Sequence, residues 1–434
     1  MLSEASSAAK LNRRALLGSL TSLGHAQPSR PNVLILFTDD QRADTIGAWG
    51  NRNIDTPNLN RLVKTGTSFR NCYNQGGHQP AVCVASRAML LSGRSLWRAT
   101  APTGLAGPLL PERFAEAGYR TFFTGKWHNG AETLHRSFQS GGLTHLGGMG
   151  PQINPQLNEF GTTKTFTRDG RATGLFTDEL TRFLNSDAKS QHPFFAFCAF
   201  TAPHDPREAA KEDLQRYQGR QLPLPRPWAA RPGVDNGELL IRDEMVVPAP
   251  RTREQCQQEL AAYYALITEL DRNIGKILKV LEATQQLNNT IIVFASDNGL
   301  AMGAHGLMGK QSMYEHSLRV PLVMSGPGIK ARTEVQPVYL YEVYHRLCSH
   351  LKLSIPPGIE GGQSSPLYFA YRDFQRAIRI GSRKMSWSGN SIEQYDLAKD
   401  PHEEHNLFGT PSAWPEAQFR SAQDHAKIYF GDQA

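Results

Sequence analysis

The run Val33-Leu34-Ile35-Leu36-Phe37, closed by Thr38-Asp39-Asp40, constrains the fold more than any other stretch of the chain. Five successive apolar residues without polar alternation describe a strand covered on both faces, as at the centre of a sheet flanked by helices. Two carboxylates at the end of such a strand repel each other unless a cation lies between them. The same pattern recurs. Tyr119 to Thr124 leads into Gly125-Lys126-Trp127-His128, Phe194 to Phe200 into Thr201-Ala202-Pro203-His204, and Thr290 to Ala295 into Ser296-Asp297-Asn298-Gly299. Val320 to Met324 reads as a further strand.

Helical signals lie between these runs. Thr56-Pro57-Asn58-Leu59 starts a helix by its cap and early proline. Leu109 to Ala117, Leu175 to Leu184 and Val338 to Leu351 read as helices. Glu254 to Leu281 is the longest, with Leu260, Tyr264, Ile267, Leu270, Ile274, Ile277 and Leu281 at helical spacing. Strands alternating with helices predict an α/β fold with a mixed, mainly parallel central sheet flanked by helices. In an open sheet of this kind ligands bind beyond the carboxyl ends of the strands, so the polar clusters above are expected in one cleft.

Two intervals lack this regularity. Residues 130–174, rich in Gly, Thr and Asn, read as a long loop. Residues 207–251, punctuated by Pro223, Pro225, Pro227, Pro232, Pro248 and Pro250, read as an irregular segment suited to a lid. The organisation expected is a catalytic domain over 30–353, a Pro/Gly-rich linker over 354–366, and a small C-terminal subdomain over 367–434 in which Ala377 to Ser386 forms a strand of an antiparallel sheet.

Composition excludes several classes. With 39% hydrophobic and 20% charged residues the chain reads as a soluble globular protein, and no uninterrupted apolar run matches a bilayer's thickness. The five cysteines are scattered with no Cys-x-x-Cys pair, against a disulfide framework or a thiolate zinc site. A formal charge of +7 suits an anionic substrate and calls for no nucleic acid. Residues 1–26 carry Arg13-Arg14 directly before a short apolar stretch, with small residues near Ala26; this reads as a twin-arginine export signal and a periplasmic or extracellular protein.

Chemistry is expected from two groups of residues. Asp39, Asp40, Asp297 and Asn298 offer oxygen ligands only, which favours a hard cation over zinc, with calcium an easier fit than magnesium. Cys83-Val84-Ala85-Ser86-Arg87, in a Gly-rich loop followed by an apolar run, places a reactive side chain at a helix start. Free N–H groups there suit an anion, and Arg87, one turn on, lies on the same face as Cys83.

Together these stretches resemble the formylglycine-dependent sulfatases of the alkaline-phosphatase-like superfamily. The resemblance is carried by Arg30-Pro31-Asn32-Val33 through Asp40, Thr56-Pro57-Asn58-Leu59, Cys83 to Arg87, Gly125 to His128, Pro203-His204, Ser296 to Gly299, and His305-Gly306-Leu307-Met308-Gly309-Lys310. It resumes at Tyr395-Asp396-Leu397 and at Asp400-Pro401 through Leu407. It implies that Cys83 is oxidised by a formylglycine-generating or sulfatase-maturing enzyme to an aldehyde, hydrated to a gem-diol. One hydroxyl would attack sulfur, and the second would let the sulfated intermediate collapse without attack by water. Ala85 stands where the commonest family pattern has proline; alanine also occurs there, and the modification is expected.

By the same resemblance the metal would be held by Asp39, Asp40, Asp297, Asn298 and the modified Cys83. Arg87 would neutralise the sulfuryl oxygens, Lys126 would contact diol and sulfate, and His128 would be the base for the second hydroxyl. His204 and Lys310 would bind the bridging oxygen, one of them protonating the leaving alcohol. His305 would line the site or hold the loop presenting Lys310, and His78 would contact substrate. The substrate implied is a sulfate ester of a carbohydrate. A phosphomonoester or phosphonate-ester hydrolase of the superfamily, and an unmodified sulfoglycan-binding protein, are the alternatives.

Overall fold

The computed structural model describes residues 30–433 except 102–103, 189, 191 and 363–365, so the expected export signal lies outside the described residues. Its centre is a sheet in which five strands run parallel in the order Thr290–Ser296, Asn32–Thr38, Phe194–Ala199, Arg120–Lys126, Ser140–His145. Antiparallel neighbours flank this block: Arg319–Ser325 beside Thr290–Ser296, and Gln156–Glu159 beside Ser140–His145. The fold is therefore the expected mixed, mainly parallel α/β sheet.

The unbroken apolar runs have the reason given for them. Val33, Ile35 and Phe37 face one buried layer, with Phe195, Phe197, Ile291 and Val293, while Leu34 and Leu36 face another, with Ala196, Cys198, Ile292 and Phe294. Alternate side chains thus enter two cores, and neither face tolerates a polar residue. Helix Arg253–Ala283 covers the second face through Leu270, Ile274, Ile277, Leu278 and Leu281. Its start is fixed by Thr252, whose hydroxyl accepts from the Gln255 N–H at 3.2 Å while the Gln255 side chain takes the Thr252 N–H at 2.9 Å. Helix Val82–Ser92 packs Met89, Leu90 and Leu91 into the first core. Among the described residues no helix is long and apolar enough to cross a membrane.

Three local expectations are corrected. Residues 130–174 are not a plain loop: helix Ala131–Ser137 and strands Ser140–His145, Gln156–Glu159 and Thr165–Thr167 extend the sheet. Ser140-Gly141-Gly142 has little intrinsic strand preference. Pairing with Phe122 and Phe123, and close approach of Phe160 and Glu179 to the two glycines, impose the strand from outside. Of the helix expected at 338–351, Val338–Tyr339 instead pairs with Thr67–Tyr73, and the helix begins at Glu342, whose carboxylate accepts the Tyr339 N–H at 2.8 Å. The strand expected at 377–386 is a hairpin, Gln375–Ile380 and Arg383–Ser388, turning at Gly381 with φ 62°.

The C-terminal sheet is antiparallel through Leu367–Tyr371, Gln375–Ile380, Arg383–Ser388 and Ser391–Asp396. Its fifth strand, Gly76–Gly77, comes from the loop that precedes Cys83. Residues 207–251 contain the short helix Lys211–Leu214 and one turn of 3-10 helix, Glu244–Val246, and are otherwise irregular, as expected.

Gly125 shapes the end of one central strand. It has φ 108° at a register shift, and a side chain there would place Cβ 1.9 Å from the Ala199 carbonyl oxygen. Gly125→Ala is expected to cost about 2 kcal/mol or more of stability, from the left-handed backbone and the forced separation of two core strands. Urea unfolding of the variant beside the parent measures it, and an unchanged midpoint would contradict the close approach.

Candidate active site

Register brings the polar clusters together. Thr38 lies opposite Ser296, Phe37 opposite Ala199, and Ala199 opposite Gly125, so the residues that follow all emerge at one edge. The backbone turns sharply there: Asp40 and His128 take φ values of 64° and 62°, which Asp and His tolerate better than most residues and which cluster at functional sites. Tyr263 braces the first turn, donating to the Asp40 carbonyl at 2.6 Å and accepting the Arg42 N–H at 2.8 Å.

Cys83 sits in the first turn of helix Val82–Ser92 and is 2% exposed. Its thiol donates to Asp39 Oδ1 at 3.2 Å and lies 3.7 Å from Asp40 Oδ1, while Asn298 Nδ2 approaches Sγ at 3.5 Å and Lys310 Nζ at 3.0 Å. Arg87 lies on the same helix face as expected. Its Nε donates to Asp297 Oδ2 at 3.1 Å, its Nη1 to the Lys126 carbonyl at 2.7 Å, and its buried Nη2 has no hydrogen-bond partner. Lys126 Nζ is paired with Asp39, and Lys310 Nζ with both oxygens of Asp40 at 2.7 Å. His204 Nε2 lies 3.5 Å from Asp40, its Nδ1 fixed 2.7 Å from the Asp205 carbonyl oxygen.

Charge in this space is strongly constrained. Burial, then Asp297 and Asp39, push the Cys83 thiol well above its ordinary range, the reverse of what a thiolate nucleophile requires. Burial raises Asp40 to about 6 against the pull of Lys310, and burial with Asp39 raises Asp297 to about 7. Burial acts on Asp39 too, but Lys126, His204 and Arg87 outweigh it and hold that carboxyl well below its usual value. His204 is lowered to about 4 by burial and Lys310, and His128 to about 3 by burial and Lys126; both are neutral, and His128 Nδ1 is buried without a partner.

The donor set fits a hard cation. Ligand atoms of Asp39, Asp40, Cys83 and His204 lie within 4.8 Å of one another, and Asn298 Oδ1 is buried with no hydrogen-bond partner. A buried amide oxygen without a donor costs on the order of 1–3 kcal/mol unless something positive faces it. Asp297 contributes to the same space, its Oδ1 accepting from the N–H groups of Asp40 and Asn298 at 3.0 and 2.8 Å.

Two of the candidate residues stand apart. His305 Nε2 lies 2.9 Å from the Glu403 carbonyl oxygen and its ring stacks on Tyr314 at 3.8 Å, which ties the loop before Lys310 to the C-terminal segment. His78 is exposed and packs edge-on against Trp97 at 6.1 Å. The sequence reading passed over Tyr263, Asp205 and Gln311. The last two adjoin His204 and Lys310 and were within reach on that ground; Tyr263 lies on the buried stripe of a 31-residue helix, where it reads as one more core aromatic.

Comparison with known proteins identifies the family of the chain. The family described as Sulfatase matches residues 31–354. An arylsulfatase of Clostridium perfringens is 28% identical over 88% of this chain and 91% of its own length. An N-acetylglucosamine-6-O-sulfatase of Bacteroides thetaiotaomicron is 27% identical over 91% of this chain and 85% of its own. A solved structure of a protein in complex with its substrate D-glucosamine-2-N,6-O-disulfate superposes with a TM-score of 0.78 and 23% identity, covering 93% of this chain and 99% of that one. With this family match spanning most of its length, the chain belongs to the sulfatase family and is a sulfuric ester hydrolase.

Proposed function

We propose that the protein removes sulfate from a sulfated carbohydrate through a formylglycine made from Cys83, with calcium among Asp39, Asp40, Asp297 and Asn298. The observation that carries this reading is the setting of Cys83. A thiol buried against Asp39, with its ionisation pushed up, is a poor nucleophile and a poor partner for the oxygen ligands around it. An aldehyde hydrate at the same position has hard oxygens and two hydroxyls, one to attack and one to drive release of sulfate.

A calcium ion held by these oxygens would supply positive charge against the sulfuryl oxygens and favour the deprotonated nucleophile. Arg87, held by Asp297 and the Lys126 carbonyl, has a buried Nη2 that lies 3.9 Å from Asp39 Oδ2 and makes no hydrogen bond, which leaves its N–H groups for an anion. Lys126 reaches the nucleophile's side of the cleft through Asp39. His128, neutral and with Nδ1 unpartnered, is fit to accept the proton of the second hydroxyl. His204 and Lys310 approach from the Asp40 side and face the ester's bridging oxygen, one of them giving it a proton. The carbohydrate reading is supported by the sugar named for the Bacteroides thetaiotaomicron relative and by the disulfated glucosamine of the superposing structure. Maturation by a formylglycine-generating enzyme and export complete the reading.

The matured enzyme is expected to hydrolyse 4-nitrophenyl sulfate with kcat/KM at least about 100-fold above that for 4-nitrophenyl phosphate, since the site offers a single-metal anion pocket lined by residues of a sulfatase. Side-by-side kinetics on the two esters and on a phosphonate monoester decide it. Higher efficiency on phosphorus would overturn the substrate assignment.

A further inference from the structure

Within the interval 207–251 three consecutive residues, Arg242-Asp243-Glu244, each grip a different part of the leaving-group side. Arg242 pairs with the Asp205 carboxylate through both terminal nitrogens, Nη2 at 3.2 Å, and the same Nη2 donates to Asp243 Oδ1 at 2.6 Å. Asp205 is the residue whose carbonyl fixes His204 Nδ1 at 2.7 Å, and its carboxylate lies 3.3 Å from that nitrogen. Asp243 Oδ2 accepts from Gln311 Nε2 at 2.8 Å, and Gln311 Oε1 in turn accepts the Lys310 N–H at 3.0 Å. Glu244, 3% exposed, accepts the N–H groups of Met308 and Gly309 at 2.9 and 2.8 Å and is paired with the buried Arg251.

Carboxylates that accept two backbone N–H bonds fix a loop in one conformation, and a guanidinium shared by two carboxylates fixes their separation. One tripeptide therefore sets both the His204 turn and the Lys310 loop. Asn236 Nδ2 also holds the Lys310 loop, donating to the Gln311 carbonyl at 3.0 Å; the tripeptide adds the link from that loop to the Asp205 carboxylate beside His204. Arg242 is the exposed member, with 45% of its side chain accessible against 13% and 14% for Asp205 and Asp243, so its removal need not open the core.

We propose that Arg242, with Asp243 and Glu244, is a positioning clamp for the two groups that face the leaving oxygen, and that it serves proton delivery to that oxygen rather than attack on sulfur. The inference rests on the placing of His204 and Lys310 at the bridging oxygen. As the sulfur–oxygen bond of the ester breaks, its electron pair stays on the leaving oxygen, which takes a proton from one of these two side chains; the sulfuryl group passes to the nucleophile. An alcohol of high pKa needs that proton, whereas 4-nitrophenolate leaves without it. A clamp on the proton donors is thus felt only with poor leaving groups, while a loss of general packing would be felt with all of them.

The test is kcat/KM of matured enzyme and its Arg242→Gln variant over aryl sulfates of rising phenol pKa. The expected loss grows from about twofold with 4-nitrophenyl sulfate to about 100-fold with phenyl sulfate, a steeper dependence on leaving-group pKa. A uniform loss across the series, or none, would overturn the clamp. Asp243→Asn, which keeps an acceptor for Gln311 but loses the charge that Arg242 bridges, is expected to steepen the dependence in the same direction. This second variant carries the test should Arg242→Gln not fold. His204→Ala and Lys310→Ala separate the two levels of the argument. If one of them steepens the dependence and the clamp variants do not, the clamp is wrong; if neither does, the placing of His204 and Lys310 at the leaving oxygen is wrong, and the clamp falls with it.

Discussion

Cys83→Ala is expected to lower kcat/KM on aryl sulfates by about four orders of magnitude or more, while the protein stays folded and still binds calcium. The size of the loss follows from the covalent route: with no side-chain oxygen at position 83 there is nothing to accept the sulfuryl group, and what remains is stabilisation by Arg87, Lys126 and the cleft. The fold should tolerate the change. Removing one sulfur from the first turn of helix Val82–Ser92 leaves the helix's packing through Met89, Leu90 and Leu91 untouched and takes away an acceptor only from Asn298 and Lys310. Steady-state kinetics with thermal unfolding of the same preparations measure both halves. The mass of the Cys83 peptide from active parent enzyme completes the check, since the proposal requires CHO in place of CH2SH. Activity retained in the variant, or an intact thiol in fully active parent, would sink the covalent route.

The central sheet was legible because its reason is local. A run such as Val33 to Phe37 can only be buried on both faces, and the polar residues that stop it must then emerge at a sheet edge. That logic also located Asp39, Asp40, Lys126, His204, Asp297 and Asn298, which the strand register gathers into one space. What was not legible depends on partners distant in the chain. Ser140–His145 is a strand because Arg120–Lys126 lies beside it, and Gly76–Gly77 because Leu367–Tyr371 does. The same holds within the site. Cys83 looked like an activated thiol at a helix start, and its burial, with the approach of Asp297 and Asp39 from other strands, makes it a poor one. Tyr263 and the 242–244 tripeptide act through bonds to residues as much as 223 positions away, and no local pattern announces them.

Removal of the cation is expected to destabilise the protein in a pH-dependent way. Asp39, Asp40 and Asp297 are at most 2% exposed, and in the metal-free protein Asp40 and Asp297 have pKa values pushed up to about 6 and about 7 by burial, against Lys310 in the first case and together with Asp39 in the second. A carboxyl whose folded pKa lies above its unfolded value of about 4 stabilises the fold fully only below that value, and the contribution is lost as pH rises through the folded pKa. The two shifts together place this loss between about pH 4 and 7 and make it on the order of 3 kcal/mol for Asp40 and 4 kcal/mol for Asp297. Asp39, held down by Lys126, His204 and Arg87 despite its burial, stays ionised throughout that window and adds nothing to the slope. Chelator-treated enzyme should therefore show a melting temperature that falls from about pH 4 to pH 7 and levels off above it. Saturating calcium should flatten the profile, since it binds the ionised carboxylates and so stabilises most at high pH, by about 2.7 kcal/mol at about 100 times its Kd. Asp297→Asn removes one of the repelling charges and one cation ligand at once. Its chelator-treated form should melt with a shallower pH dependence than the parent, calcium should shift it less, and kcat/KM should fall by about 100-fold or more as Arg87 loses its partner. Thermal unfolding across pH with and without calcium reads the stability claims independently of turnover. A parent enzyme whose melting and activity ignore a strong chelator at pH 8 would show that three buried carboxylates are neutralised by Lys126, Lys310 and Arg87 alone.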